Sequence, residues 1–425
     1  METDAGKIAI LGAGPIGLEA ALYARYLGYQ VDVYEQGTVA ENVGDWGHVR
    51  MFSPFGMNRS TLGLAALAAQ DPNWTPPDDD ALLTGAEWAD RYLLPLAESD
   101  LLRGHIHQAT RVVGVSRADA LKHELIGDDE RRRQPFRLLL EAADGQRTAE
   151  ANLVIDATGT YGNHNWLGRG GLPAVGEAEA AAKIGYRVPD VLGRERDDYA
   201  GQHTVVLGAG YSAATTVRDL AQLAREVPET RVTWLVRGDR PPGEPIARIE
   251  DDTLAERDAL ARHVAAVVEA DDGPIDFHAA TAIERISVER NDVTDEDGSL
   301  VVETSGRTET QLRCDRIVAN VGYHGDRQLY EQLQVYECYA TGAPMKLAAS
   351  LVGQTSADCL RQSFGGPELL VTSEPDFYIL GSKSYGRDSR FLVAIGLAQV
   401  RELFSSIAGR ESLNLYQDVA GLISK

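Results

Sequence analysis

Cysteine is scarce. Only Cys314, Cys338 and Cys359 occur in 425 residues, and none belongs to a Cys-x-x-Cys pair. Three thiols cannot build a disulfide framework, and the usual redox-active dithiol is excluded; such usage fits a reducing, cytoplasmic setting. Long apolar runs are missing too, with no stretch near the roughly 20 residues needed to span a bilayer. The N-terminus carries Glu2 and Asp4 where a secretory signal would be basic. Its apolar run, Ile8 to Leu11, stops at glycines, so neither a signal peptide nor an anchor is expected. Positive charge is the third shortage. Lys and Arg number 41 against 64 Asp and Glu, a formal charge of −23 that repels nucleic-acid backbones and anionic membranes. The one basic run, Arg131-Arg132-Arg133 behind Asp128-Asp129-Glu130, reads as a solvated loop. No metal site is expected, because no His/Cys/Asp cluster has ligand spacing. A Gly-x-Ser-x-Gly elbow and a Walker A loop are also absent.

What is present is the balance of a globular enzyme, 44% apolar and 25% charged, at a length suited to two or three domains. One motif occurs twice. Lys7 to Leu11 runs into Gly12-Ala13-Gly14-Pro15-Ile16-Gly17, and Thr204 to Leu207 runs into Gly208-Ala209-Gly210-Tyr211-Ser212-Ala213, 196 positions later. Each loop opens an apolar-periodic helix, read over Leu18–Leu27 and Ala214–Leu223. Each helix leads to another strand, Val31–Tyr34 and Arg231–Val236. This is a βαβ unit, found twice. Its first glycine makes a tight turn, its second lets backbone approach a pyrophosphate, and the third position must be small so that helix and strand pack. The helix N-terminus supplies unpaired N–H groups for the phosphates.

The two strand ends differ. Glu35 stands eighteen positions past Gly17, where a carboxylate accepts from ribose hydroxyls and repels a 2′-phosphate. Arg237 holds the comparable place in the second unit, where a guanidinium suits a 2′-phosphate. The first site is therefore expected to prefer an adenosine with free ribose hydroxyls, such as FAD, and the second NADPH over NADH; the alternative for either residue is a plain surface position. Elsewhere 86–99 and Thr253–Val268 read as helices. Residues 109–116, 135–142, 152–156 and several segments over 282–319 read as strands, with turns at Asp144-Gly145 and Asp297-Gly298. Phe377 to Leu380 reads as a strand before Gly381 and a helix of about Phe391 to Ser405.

Two dinucleotide loops, together with Leu153-Val154-Ile155-Asp156-Ala157-Thr158-Gly159, resemble the two-domain FAD/NAD(P)H flavoproteins. That group takes in flavin-containing and N-hydroxylating monooxygenases and thioredoxin-reductase-like enzymes. The resemblance covers nearly the whole chain. It implies an α/β fold of two Rossmann-like domains, the NADPH domain inserted into the FAD domain: 1–164 and 319–425 for FAD, 201–318 for NAD(P)H, and 165–200, with its Gly168–Gly176 stretch, as linker. Asp315 to Tyr323 looks like the return strand. The sequence departs from the subgroups by lacking the dithiol, by Gly381-Ser382 in place of the reductases' Gly-Asp, and by having no Phe-x-Gly-x-x-x-His-x-x-x-Trp/Phe fingerprint before the second loop.

By this resemblance Gly12, Gly14, Pro15, Ile16, Gly17 and Glu35 hold the FAD nucleotide, with Ala157, Thr158, Gly159 and Val112. Trp46, His48, Val49 and Arg50 lie along the isoalloxazine, and Gly381, Ser382 and Tyr385 make the last flavin contact. The NADPH set is Gly208, Gly210, Tyr211, Ser212, Ala213 and Arg237. Arg50 either stabilises charge on the cofactor or makes a surface ion pair, and the aromatics of 46–55 either face flavin or pack the core. His164, and similarly His324, either moves protons and holds nicotinamide or makes an ordinary hydrogen bond. Lys383 and Tyr385 either bond the flavin ring or lie exposed. The expected activity is an NADPH-consuming monooxygenase working through a C4a-(hydro)peroxyflavin, with a small organic substrate and O2 as partners. The alternatives are a reductase of a small disulfide, quinone or protein acceptor, and a nucleotide-binding redox sensor. A homodimer is left open.

Overall fold

The computed structural model describes residues 6–270, 272–290, 297–354, 358–362 and 364–420. Glu2 and Asp4 lie outside the described residues. The chain divides into two compact units, Met1–Asn163 with Tyr323–Lys425, and His164–Gly322.

The first unit is built on a five-stranded parallel sheet ordered Phe377–Ile379, Leu153–Asp156, Lys7–Leu11, Gln30–Tyr34, Ile106–His107. Its central strands are continuous apolar runs because both faces are covered. Ile8, Ile10 and Ile155 pack with the helices Pro15–Tyr26 and Val393–Ile407, while Ala9, Leu11 and Val154 pack with an antiparallel sheet of Arg111–Arg117, Phe136–Ala142 and Gly145–Ala151. The turn before Gly145 is where its sequence places it, but the strand it leads to is Gly145–Ala151, which the sequence reading missed. That strand is nearly all exposed and carries no apolar alternation to reveal it. Leu153–Asp156 belongs to the parallel sheet instead. The helical stretch 86–99 is real, with a wide turn over Ala89–Leu93 between Gly85–Trp88 and Leu94–Ala97.

The second unit repeats the plan, with the parallel order Ile275–Ala279, Arg231–Val236, His203–Leu207, Arg316–Ala319, Ile184–Gly185. A three-stranded antiparallel sheet, Thr281–Arg290, Asp297–Gly306 and Gln311–Cys314, lies beside it in sequence. Asp297 begins a strand where a turn was expected, and 291–296 lie outside the described residues. The expected linker 165–200 is packed structure in this unit. Leu167, Ala174, Ala180 and Ile184 are core residues, and Ile184–Gly185 is a sheet strand. The buried carboxylate of Glu177 organises the segment, accepting from the Leu167 and Ala174 amides at 3.2 and 2.7 Å and from the Tyr186 hydroxyl at 2.6 Å.

Arg131 also departs from its sequence reading. It is 1% exposed, not solvated. Arg131 and Arg117 clamp Glu374 between them at 2.8 and 2.7 Å, and Arg131 Nη1 also donates to the Leu121 and Glu124 carbonyls. The short helix Asp129–Arg133 and the strand bearing Arg117 are tied together by one buried carboxylate, and burial still holds the Arg117 guanidinium below its usual range.

Candidate nucleotide sites

The first glycine loop is shaped by contacts that tolerate no side chain. Gly12 takes φ +95°, and a Cβ there would stand 2.8 Å from the Ala157 carbonyl oxygen. A Cβ on Gly17 would stand 1.9 Å from the Gly12 carbonyl oxygen. Gly14 is different in kind, with nothing within 4 Å of its Cβ position. It is the N-cap of the Pro15–Tyr26 helix, which no side chain caps. Pro15 at the first helical position gives up an N–H that would be unpaired anyway. An open cradle before an uncapped helix fits a pyrophosphate.

Three segments distant in sequence close around this loop. The Ala157 amide donates to Leu11 O at 2.9 Å. Gly381 (φ +73°) brings its Cβ position 3.5 Å from Ile16, and Ser382 Oγ stands 3.5 Å from that of Gly159. Gly396 lets the Val393–Ile407 helix approach so closely that a Cβ would meet Ile16 at 2.3 Å. Sequence reasoning missed Gln399, although it is a lone amide in an otherwise apolar run from Phe391 to Val400. Fully buried, it accepts from the Gly381 amide at 2.9 Å and donates to Ser384 Oγ at 2.8 Å, fixing the turn.

Glu35 is tied into the loop rather than lying free at the surface. Its carboxylate accepts from the Ala13 amide at 2.8 Å and the Gly37 amide at 3.0 Å. The Glu35 carbonyl accepts from Thr110 at 2.8 Å, which brings the strand bearing Val112 beside the acid; Val112 itself packs against the core. Of the expected isoalloxazine segment, Phe55 is fully buried core and Trp46 packs against the same cluster. Val49 is half-buried, its amide and carbonyl used by Trp46 and Gly85. Arg50 is exposed, and its Nη1 donates to the Leu82 carbonyl at 2.6 Å. His48 Nε2 is buried with no hydrogen-bond partner among the described residues, an orphan polar atom in the stretch assigned to the ring.

The C-terminal turn corrects two further alternatives. Lys383 is 2% and Tyr385 1% exposed. The Tyr385 ring packs with Leu347, Leu351 and Ile395, and burial pushes its hydroxyl up to about 12. Lys383 is engaged by Asp156 at 2.5 Å and by Thr158 Oγ1 at 3.1 Å.

In the second unit Gly208 (φ +142°) would bring a Cβ within 2.4 Å of the Asn320 carbonyl oxygen, whereas Gly210 has nothing within 4 Å. Gly210 caps the Tyr211–Glu226 helix with no side-chain bond. Ala213 is fully buried, Ser212 is exposed, and the Tyr211 hydroxyl reaches Ala247 O at 3.4 Å. Asn320, another residue the sequence reading missed, accepts from Thr216 Oγ1 at 2.9 Å. Arg237 ends the Arg231–Val236 strand, exposed and without a partner among the described residues. His164 belongs to this unit, its ring stacked on Tyr186 at 3.4 Å and its Nδ1 3.1 Å from Asn165 O. His324 belongs to the first unit, where its amide donates to Asn163 O at 2.9 Å. Burial raises Cys314 to about 12, while bonds to the Thr341 hydroxyl and to the Thr341 and Ala340 backbone hold Cys338 below the usual thiol range.

Solved structures match the fold over almost the whole chain. The bacillithiol disulfide reductase of Bacillus cereus superposes with a TM-score of 0.63 at 19% identity, covering 95% of this chain and 99% of that one. The fold is that of the two-domain FAD/NAD(P)-dependent flavoproteins. The ornithine N-hydroxylase of Kutzneria sp. 744, with reduced FAD, NADP+ and L-ornithine, matches at TM-score 0.61 and 16% identity, with 95% and 99% coverage. Thioredoxin reductase of T. acidophilum matches at 0.54 and 17%, again over 95% and 99%. This flavoprotein fold thus carries reductases and hydroxylases alike. No family model matches the sequence, and no curated protein matches it either. Among the described residues there is no candidate metal cluster, and no helix long and apolar enough to cross a membrane.

Proposed function

We propose that the chain is an FAD-dependent, NADPH-consuming oxidoreductase, with FAD on the first unit and NADPH on the second. The observation that carries this reading is the contrast between two otherwise equivalent cradles. Gly14 sits in a loop enclosed by the Ala157–Gly159 and Gly381–Ser382 turns and braced by Glu35, as a resident group requires. Gly210 sits on an exposed loop beside a partnerless Arg237, as an exchangeable 2′-phosphorylated donor requires. Bound FAD would supply hydride acceptance from NADPH and onward electron transfer. Gly12 to Gly17 would seat its pyrophosphate, Glu35 its ribose, and the His48 ring nitrogen offers the flavin a hydrogen bond. We place the protein in the cytoplasm, where cysteines are kept reduced as thiols.

Within that class, oxygenation of a small organic substrate by O2 is the preferred activity, because electrons have no dithiol through which to leave. The second reading, reduction of a small disulfide, quinone or protein acceptor, is favoured by the reductases among its structural neighbours. The purified protein should be yellow, or become so with FAD. NADPH consumption should rise with an amine, sulfide or ketone in air and yield an oxygenated product. Consumption that rises instead with a disulfide or quinone under nitrogen selects the reductase. A chain that binds both nucleotides yet leaves NADPH unoxidised whatever acceptor is supplied is a sensor.

A further inference from the structure

The first unit holds a pair of charges that seating a pyrophosphate does not require. Asp156, fully buried, closes the strand before Ala157, and Lys383 follows Gly381-Ser382 in the C-terminal turn. Lys383 Nζ donates to Asp156 Oδ2 at 2.5 Å and to Thr158 Oγ1 at 3.1 Å, and stands 4.9 Å from the Tyr330 ring centroid. Asp156 Oδ1 accepts from the Thr158 amide at 3.1 Å and its hydroxyl at 2.7 Å. The backbone repeats the link, since the Leu380 amide donates to Asp156 O at 2.9 Å. Gly325 makes room for the lysine stem, for a Cβ there would meet Lys383 Cγ at 2.8 Å.

A buried ion pair gains little over apolar packing of the same volume, yet removing one partner strands the other charge at considerable cost. Stability alone therefore does not call for it. Its position is more informative. It ties together the two turns, Ala157–Gly159 and Gly381–Ser382, that border the Gly14 cradle, and it leaves no net charge there. We propose that Asp156 and Lys383 are positioning residues that hold these two turns in register around the flavin nucleotide, and that their mutual compensation keeps the local field from biasing the flavin. This rests on the assignment of FAD to the first unit. The reduced flavin gains negative charge at neutral pH, so an uncompensated cation favours reduction and an uncompensated anion opposes it.

The test measures FAD affinity by fluorescence titration and the midpoint potential of bound flavin against a reference dye, for the whole chain and four variants. The wild-type titration comes first, because a chain that takes up no FAD defeats the flavin assignment itself. Given uptake, Asp156→Asn should raise the potential and Lys383→Met should lower it, each loosening FAD by about tenfold or more. Lys383→Arg should keep the wild-type potential. The double variant Asp156→Asn/Lys383→Met should recover most of the affinity and return the potential toward wild type. Shifts of the same sign, or none, mean a structural staple and overturn the proposal. Should neither single variant fold, the double variant decides: one as defective as the singles overturns the proposal, and one that holds flavin supports it.

Discussion

The two glycine loops share a sequence pattern and differ in what surrounds them. In the first, Ala13 is fully buried, and the loop is pressed by the Ala157 carbonyl, the Gly381 turn and the Val393–Ile407 helix. In the second, Ala209 and Gly210 are exposed and Gly208 is pressed chiefly by the Asn320 backbone. The helices follow suit. Nine of the twelve residues of Pro15–Tyr26 are buried, whereas Tyr211–Glu226 alternates buried and exposed faces in the amphipathic manner. A motif fixes where backbone turns; its enclosure governs how readily a bound nucleotide leaves.

The largest way to break this comparison is at the third position of each motif. Gly17→Val places a side chain 1.9 Å from backbone that has nowhere to move, and should cost roughly 3 kcal/mol or more in urea unfolding. Ala213→Gly, at the equivalent place, should cost only about 1 kcal/mol, the helix-propensity difference. The middle glycines should behave in the opposite way. An added Cβ at Gly14 or Gly210 meets nothing within 4 Å, so Gly14→Val and Gly210→Val should cost unfolding stability only about 1 kcal/mol, the loss of a favoured N-cap residue. Each should instead weaken its own nucleotide by roughly a hundredfold or more and leave the other untouched, read by paired FAD and NADPH titrations.

The buried helix carries a further asymmetry. Glu19, 2% exposed, is raised by burial from 4.5 to about 7. Between those values the folded chain keeps a proton that the unfolded chain releases, so stability is full below about 4.5 and is lost as pH rises through about 7. Glu19→Gln should therefore be more stable than wild type at pH 8 by about 3 kcal/mol, and indistinguishable at pH 4. Smaller effects belong to the strand ends. Glu35→Ala removes the acceptor of two loop amides and should cost about 1–2 kcal/mol of stability besides FAD affinity. Arg237→Asp removes no hydrogen bond or ion pair among the described residues; stability should hold within about 0.5 kcal/mol while preference moves from NADPH toward NADH. A wild-type chain using both donors equally would remove Arg237 from the site.

The βαβ repeats were legible because strand, glycine turn and helix are local. Arg231–Val236 and Lys7–Leu11 fall where the apolar runs predict them, and Glu35 and Arg237 fall at strand ends. Expectations failed where a residue's neighbours come from afar. A Gly/Pro-rich stretch that reads as linker is held in the second unit by Glu177, and a basic run that reads as solvated sends Arg131 to Glu374, 243 positions away. Lys383 and Tyr385 sit in a turn with no apolar period, which says nothing of their burial.

By itself, then, the sequence determined two βαβ units with glycine loops, the order in which they occur, and the sign of charge at each strand end. All of these follow from backbone geometry within some thirty residues. Only tertiary structure decided which loop is enclosed and which open, that Asp156 meets Lys383 across 227 positions, and that His48 keeps an unpartnered nitrogen. Desolvation and hydrogen-bond partnership depend on whatever the folded chain brings alongside, and no local pattern encodes that.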